Sequence, residues 1–156
     1  MRRERDFYPT PWQTFKSIIP YLPFVPIWEP CQGDSRLVRW MREAGHKADG
    51  DDLAQGYDFL KDIKRRACIV TNPPFSLAEE FAMNANLVSP LVYMLLPLGF
   101  LASQKRREFW QRYPLSALFP LSQRPSFTDD GKTDACDYAW FFWDRNKTST
   151  SSIIQL

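Results

Sequence analysis

The chain has 156 residues, 44% of them hydrophobic, which predicts one domain with one packed core and excludes a disordered chain. Its 20 basic and 18 acidic residues leave a formal net charge of +2, so it lacks the strongly basic balance of many nucleic-acid-binding proteins. Three widely spaced cysteines and a single histidine exclude the usual zinc-binding patterns, and no metal is predicted.

The sequence contains no pattern typical of a signal peptide and no apolar run long enough for a membrane helix. We therefore expect a cytoplasmic protein that does not enter a membrane. Basic residues do cluster in MRRER at the start of the chain and again at 64–66 and 105–108. These clusters are either solvated helix ends or contacts to phosphate groups, and the sequence leaves both interpretations open.

Strands and helices are predicted to alternate from the N-terminus. Thr10 as N-cap and Pro11 as first helical residue predict a helix in TPWQTFKSIIPYL. The segment FVPIWEP (24–30) predicts a short buried strand, and the apolar spacing in DSRLVRWMREAGH predicts a helix that ends at Gly45. A second short strand is predicted within KADGDDL (47–53).

The alternation continues with ACIVT (67–71), a continuous apolar run of the kind found in central parallel strands. Ser76, with Glu79 at the capping-box spacing, is predicted to start a helix in SLAEEFAMNANLV. A buried strand at 91–97 and a helix in ASQKRREFWQRY follow. The last third switches to short strands in ALFPL, RPSF and DYAWFFW, and the aromatic rings of the last one are predicted to pack mainly in the core.

This alternation predicts an α/β protein with a doubly wound, mostly parallel sheet and an antiparallel hairpin at one edge. One catalytic domain is predicted over residues 1–145, and the polar stretch 146–156 is predicted to be a mobile tail. No large separate segment is left for recognising a target. In an open α/β sheet, ligands bind beyond the carboxyl ends of the strands, so the residues at those ends are the candidates for function.

The first strand end reads WEPCQGDS and carries Glu29, followed by the rigid Pro30 and by Gly33 in the turn into a helix. A glycine at this point allows the backbone to approach a ligand closely. The stretch is neither a GxGxxG dinucleotide motif nor a phosphate-binding loop with its lysine. A carboxylate here repels phosphates and favours a cation, and the sulfonium and ammonium groups of S-adenosylmethionine fit that requirement.

The second strand end reads DGDDLAQGYDFL and is rich in carboxylates. Asp52 is a candidate to bind ribose hydroxyls. Asp58 is a candidate to accept a hydrogen bond from an adenine amino group, with Phe59 beside the adenine ring. Acidic residues and glycines are also common in helix caps and solvated turns, so a purely structural role stays open for each of them.

The third strand end is Asn72-Pro73-Pro74-Phe75. Each residue before a proline avoids the helical region, so this run predicts a rigid, extended turn. The side-chain oxygen of Asn72 and the backbone oxygen of Pro73 would then point at one amino group, while Phe75 stacks on the ring that carries it. A turn that merely contains two prolines is the structural alternative.

Such an arrangement suits a demanding reaction, because the exocyclic amine of adenine has its lone pair delocalised into the ring. Two acceptors on the amine hydrogens favour a pyramidal nitrogen and stabilise the positive charge that develops on it. Holding the amine in line with the sulfonium methyl group supplies proximity. No strong base is required before methyl transfer.

The chain resembles the S-adenosylmethionine-dependent N6-adenine DNA methyltransferases, in particular the small phage-type, Dam-like adenine methylases. The resemblance is carried by DFYPTP, EPCQGDS, NPPF and the late RPSFTDDGKTDACDYAWFFW, and it spans residues 6–144. It implies a Rossmann-like class I methyltransferase fold with S-adenosylmethionine as cofactor. It further implies a bacterial or phage enzyme of the cytoplasm whose substrate is adenine in DNA, single-stranded or flipped out of the duplex.

The resemblance also assigns roles to individual positions, which fall into a cofactor site, a catalytic motif and a contact to DNA. For the cofactor it implies Thr10, Pro11, Glu29 and Gly33 at the methionine part, Asp52 at the ribose, and Asp58 with Phe59 at the adenine. Pro30, next to Glu29, is also predicted to bind the cofactor. For the reaction it implies Asn72, Pro73, Pro74 and Phe75 as the catalytic motif, Phe127 as a second wall for the target base, and Arg124 at the DNA backbone.

Two departures from the family matter. Ser35 stands where the family often has a second glycine. The chain also has no room for a large target-recognition segment. Its sequence preference is therefore short and loose, or a protein partner supplies it, or the protein has lost activity. Similar motifs occur in methylases resembling those that act on RNA bases or on protein glutamine side chains. These acceptors remain alternatives, as does a non-catalytic cofactor-binding subunit that needs a partner.

Overall fold

The structure is a computed structural model that describes residues 8–128, 130–147 and 151–156. The described residues form a sheet with the strand order β2-β1-β3-β4-β6-β5-β7. The strands are β1 Ile27–Glu29, β2 Ala48–Gly50, β3 Cys68–Thr71, β4 Leu91–Pro97, β5 Ala117–Pro120, β6 Tyr138–Asp144 and β7 Ser152–Ile153. The α-helices are α1 Trp12–Lys16, α2 Arg36–Glu43, α3 Ala78–Val88 and α4 Arg107–Arg112.

The strand order confirms the predicted doubly wound, mostly parallel α/β sheet. Strands β2, β1, β3 and β4 run parallel, and β6 is antiparallel to both β4 and β5. The chain runs from β1 outward to β2 and then returns to place β3 on the other side of β1. The carboxyl ends of β1 and β3 therefore form the switch point of the sheet, where ligands of such folds bind.

The antiparallel strand lies deeper in the sheet than a hairpin at the edge would. Strand β6 pairs with β4 over its whole length, from Leu91 opposite Asp144 to Pro97 opposite Tyr138, and with β5 on its other side. Trp140, Phe141 and Trp143 are fully or almost fully buried, as predicted for the aromatic run. A strand that buries rings on both faces needs neighbours on both sides, which explains its inner position.

The core occupies both faces of the sheet. One layer joins Phe15 of α1 and Met41 of α2 to Trp140, whereas the other joins Phe81 of α3 and Phe109 of α4 to the opposite face. The buried indole nitrogen of Trp140 donates to the Thr14 carbonyl oxygen at 3.1 Å. This hydrogen bond gives the buried indole of Trp140 a partner for its polar atom, and it ties α1 to the sheet.

Two local predictions are wrong. The capping box at Ser76 does not form, because residues 75–77 make a 3-10 turn and α3 begins only at Ala78. The carbonyl oxygen of Pro74 accepts from the Leu77 amide at 3.0 Å, which closes this turn before α3 begins. The segment RPSF is also not a strand.

The end of the chain adds a strand that the sequence did not predict. Strand β7 pairs in parallel with β5, and the Ile154 amide donates to the Leu118 carbonyl oxygen at 2.8 Å. Ile154 and Leu156 also pack against the core. The open backbone groups of an edge strand favour pairing with any nearby extended segment, even one of polar composition. No helix of the described part of the chain is long and apolar enough to cross a bilayer.

Candidate active site

A cleft of about 680 Å³ lies at the switch point of the sheet. Five stretches of the chain line it: the segment before α1, the end of β1 with the loop after it, the start of α2, the loop after β2 and the residues that follow β3. Its volume falls in the range of ordinary small-molecule sites. The lining residues are Tyr8, Pro9, Thr10, Glu29, Pro30, Cys31, Gln32, Gly33, Asp34, Arg36, Leu37, Asp52, Leu53, Ala54, Tyr57, Asn72 and Pro74.

Glu29, the last residue of β1, is a buried carboxyl group at the floor of the cleft and is only 1% exposed. Its Oε1 accepts from the Cys31 amide at 3.1 Å and from the Thr71 hydroxyl. Burial raises the pKa of Glu29 from 4.5 to about 7, although these hydrogen bonds oppose the increase. A bound cation would offset this desolvation by favouring the ionised carboxylate.

The Asp52 side chain joins the loop after β1 to the loop after β2. The Gly33 amide donates to Asp52 Oδ2 and the Ala54 amide to Asp52 Oδ1, both at 2.9 Å. A β-carbon on Gly50 would lie 2.6 Å from the Glu29 carbonyl oxygen, so only glycine allows this approach of the two strand ends. Gly50 thus shapes the site, a role that the sequence analysis missed because the contact is tertiary.

Ser35 adopts a left-handed backbone conformation, with φ of 63°. A residue with a β-carbon destabilises the folded state by about 1–2 kcal/mol in this conformation. This explains why the methyltransferases that the chain resembles often have glycine at this position. We expect Ser35→Gly to stabilise the protein by up to about 1 kcal/mol, since the greater freedom of unfolded glycine offsets part of the gain.

The measurement for Ser35→Gly is thermal unfolding, with an expected increase of the midpoint by about 1–4 °C. Ser35→Ala is the matched control, because it removes the hydroxyl but keeps the β-carbon. An equal increase in Ser35→Ala would show that backbone strain is not the cause.

Asn72 is held with its amide nitrogen facing the segment before α1. Its Nδ2 donates to the Tyr8 carbonyl oxygen and to Thr10 Oγ1, both at 3.0 Å. Its Oδ1 is buried and has no hydrogen-bond partner among the described residues. A buried polar atom without a partner is costly, so an unused acceptor at a cleft-lining residue is a mark of function.

Phe75 lies beside the cleft in a cluster of aromatic rings. Tyr8 stacks on it with ring centroids 5.5 Å apart, and Phe127 meets it edge-on at 6.0 Å. Phe127 is only 4% exposed. Since the two phenylalanines are in direct contact, no gap for a base exists between them, and the expected second wall at Phe127 is not formed in this structure.

The structure contradicts two further assignments. Phe59 is 2% exposed and packs on Phe81 in the core, at a centroid distance of 5.2 Å, so it does not flank a cofactor ring. Asp58 does not line the cleft. It accepts from the Leu60 amide at 3.1 Å and pairs with Lys61 at 3.0 Å. This is the structural role of a turn cap, which local sequence cannot distinguish from ligand binding.

The cleft brings together half of the predicted site residues, namely Thr10, Glu29, Pro30, Gly33, Asp52, Asn72 and Pro74. Pro73 is buried. Pro11 is the N-cap of α1, so the prediction of Thr10 as the cap and Pro11 as the first helical residue is wrong by one position. Arg124 is exposed and paired with Asp137 at 2.7 Å. The cleft residues that the analysis missed include Tyr8, Leu53 and Tyr57. Each of them had a signal in the sequence: Tyr8 lies in DFYPTP, Leu53 directly follows Asp52 and Tyr57 directly precedes Asp58.

The sequence matches no protein-family model, and no curated protein matches it well enough to count as a relative. The fold, however, resembles solved structures. A proposed RNA methyltransferase from Pyrococcus horikoshii has a TM-score of 0.57 at 12% identity, with 85% of this chain and 81% of that chain covered.

Two further structures agree. A TehB-like S-adenosylmethionine-dependent methyltransferase from Corynebacterium glutamicum has a TM-score of 0.55 at 14% identity, covering 84% of this chain and 86% of that chain. The 23S rRNA methyltransferase ErmE has a TM-score of 0.55 at 12% identity, covering 90% of this chain and 71% of that chain. The chain therefore has the Rossmann-like fold of the class I methyltransferases.

Proposed function

We propose that the chain transfers the methyl group of S-adenosylmethionine to the exocyclic amine of an adenine, with DNA as the first candidate substrate. The observation that carries the proposal is the buried Oδ1 of the cleft residue Asn72, which has no hydrogen-bond partner in residues 8–128, 130–147 and 151–156. An acceptor without a protein partner is suited to an amine hydrogen of a substrate.

The cleft residues fit the cofactor. Glu29 would face its cationic methionine part, and the backbone around Gly33 would allow close approach. Asp52 would accept from ribose hydroxyls with the lone pairs that the Gly33 and Ala54 amides leave free. Leu53 takes the place of Phe59 as the apolar neighbour of the adenine ring. When bound, the cofactor supplies an electrophilic methyl group.

The residues that follow β3 would act on the acceptor. Asn72 Oδ1 and the Pro73 carbonyl oxygen would each accept one hydrogen of the amine, which favours a pyramidal nitrogen. Neither oxygen accepts a hydrogen bond within the part of the chain that the structure describes. Both would therefore bind the amine without giving up an existing hydrogen bond.

Phe75 would stack on the target base. Its parallel neighbour in the structure is Tyr8, at an interplanar angle of 16°. A base that enters must replace the Tyr8 ring on that face, exchanging one aromatic stack for another at little net cost. This exchange, rather than a fixed sandwich with Phe127, is how we propose that the base is held.

RNA is the second candidate substrate. Two of the structures that share the fold are described as RNA methyltransferases, which favours RNA bases over protein side chains as the alternative acceptor. The amine acceptors and the stacking ring would serve adenine in either nucleic acid. A protein partner that supplies sequence specificity remains part of the proposal for both.

The deciding experiment is incubation with methyl-labelled cofactor and single-stranded DNA, duplex DNA, RNA or protein, followed by digestion to nucleosides and mass spectrometry. We expect N6-methyladenine from DNA, with single strands at least as good as duplex. Label in RNA alone would show that RNA, and not DNA, is the substrate. Label in protein alone would refute both nucleic acids as substrates. If the cofactor binds without turnover, bacterial lysate is added to supply a partner.

A further inference from the structure

The segment before α1 holds the carboxamide of Asn72 in one orientation. Building on the proposed function, we propose that Thr10 and the Tyr8 main chain position the catalytic amide, and that they are the reason why an amide rather than a carboxylate stands at position 72. Thr10 is thus assigned a positioning role, distinct from the contact to the methionine carboxylate that the resemblance implies.

The orientation follows from the identity of the two partners. A carbonyl oxygen accepts and never donates, so the group of Asn72 that faces the Tyr8 oxygen has to be the NH2. The hydroxyl oxygen of Thr10 accepts the second hydrogen of the same NH2. With both hydrogens used, a rotation of the amide would bring its oxygen against the Tyr8 oxygen. Oδ1 is thereby kept as the group left for the substrate.

The positioning segment is itself anchored. Thr10 is 3% exposed, and its carbonyl oxygen accepts from Arg36 Nη1 at 3.3 Å. Arg36 lies at the start of α2 and pairs with Asp34 in the loop after β1. Because Asp34 and Arg36 also line the cleft, the segment that orients Asn72 is tied to the loop that surrounds the proposed cofactor site.

The same contacts explain the choice of residue at position 72. A carboxylate has the shape of a carboxamide and is a better acceptor for an amine hydrogen. In this chain, however, its second oxygen would lie against the Tyr8 carbonyl oxygen at the place where Nδ2 now donates. Two buried acceptors facing each other lose a hydrogen bond and repel. The fold therefore favours asparagine.

The test compares Thr10→Val with Thr10→Ser and uses an NMR readout that does not depend on activity. In 15N-labelled protein, the side-chain NH2 signals of Asn72 are identified by their absence in Asn72→Ala. We expect Thr10→Val to shift these signals and Thr10→Ser to restore them. Thr14→Val, in another buried threonine of the neighbouring helix, is the matched control and should leave them in place.

Activity separates the two roles of Thr10. If Thr10 positions Asn72, Thr10→Val lowers kcat by about tenfold to 10²-fold and leaves the KM for S-adenosylmethionine unchanged. Thr10→Ser should restore kcat. A raised KM at unchanged kcat would assign Thr10 to the cofactor and overturn the inference, as would unshifted Asn72 signals. Shifted signals in a protein that methylates no substrate would support the positioning and refute only the proposed function.

A second variant covers the case in which Thr10→Val does not fold. Asn72→Asp should unfold at a lower temperature than the wild type. Asn84→Asp should behave in the same way, since Asn84 Nδ2 also donates to two carbonyl oxygens, those of Phe59 and Asp62, at 2.6 and 3.1 Å. The exposed Asn146→Asp should show little change. An Asn72→Asp variant as stable as the wild type would overturn the inference.

Discussion

Asn72→Ala is expected to lower the turnover of methyl transfer by about 10²–10³, the usual effect of removing one preorganised polar partner of a transition state. The structure supports this magnitude because Oδ1 is buried and has no partner among the described residues, so its interaction with an amine would be made away from water. The affinity for S-adenosylmethionine should hardly change, since the residues proposed to hold the cofactor belong to the end of β1 and to the loops after β1 and β2.

Single-turnover kinetics and calorimetry check this prediction together. Asn84→Ala is a matched control, because Asn84 is partly buried and hydrogen-bonded but lies outside the cleft. It should lose stability without losing turnover at saturating cofactor. A cofactor affinity that falls as steeply as the rate in Asn72→Ala would place Asn72 in the cofactor site instead.

The second large effect concerns pH. We expect the affinity for S-adenosylmethionine to rise as the pH rises through about 7, because the pKa of Glu29 is raised to about 7 by burial in the free protein. Asp52 adds to this increase by repulsion. A cationic ligand binds the ionised carboxylate, so below pH 7 binding has to release a proton. The affinity should then fall by up to tenfold for each pH unit.

Titration calorimetry in buffers of different ionisation enthalpy measures that proton release. Glu29→Gln should bind more weakly at pH 8 and lose the pH dependence, whereas Glu79→Gln, on α3 and paired with Arg106, should keep it. If the wild-type affinity is the same at pH 6 and pH 8, the buried carboxyl group does not face the cation.

The same group has an opposite effect on the stability of the free protein. A pKa raised from 4.5 to about 7 means that the folded state binds more protons than the unfolded state between these values. The contribution of Glu29 to the free energy of unfolding therefore falls as the pH rises through this window. Denaturant unfolding of Glu29→Gln should lack that slope.

Patterns along the chain were sufficient to predict the α/β fold class and some of the residues of the site. The apolar run that ends at Thr71 and the Glu29 after a short strand both marked strand ends, and the parallel sheet brings such ends to one edge. Glu29, Gly33, Asp52 and Asn72 consequently meet in one cleft. This part was predictable because it depends on which residues follow a strand.

Other features depend on contacts between residues far apart in the chain. Phe59 and Phe127 were expected at a ligand, but whether a ring faces a core or a cleft depends on what packs against it. Gly50 is required by the approach of the Glu29 carbonyl oxygen, and β7 forms because β5 offers an open edge. None of these neighbours is local in sequence.

The sequence by itself determined the alternation of strands and helices and the chemical groups at the strand ends, because both follow from short-range periodicity and turn preferences. Only the tertiary structure decided which side chains line the cleft, how far Glu29 is buried and which way the Asn72 amide faces. Those properties arise from desolvation and from hydrogen bonds across the fold, such as the one from Asn72 to Tyr8, 64 residues away.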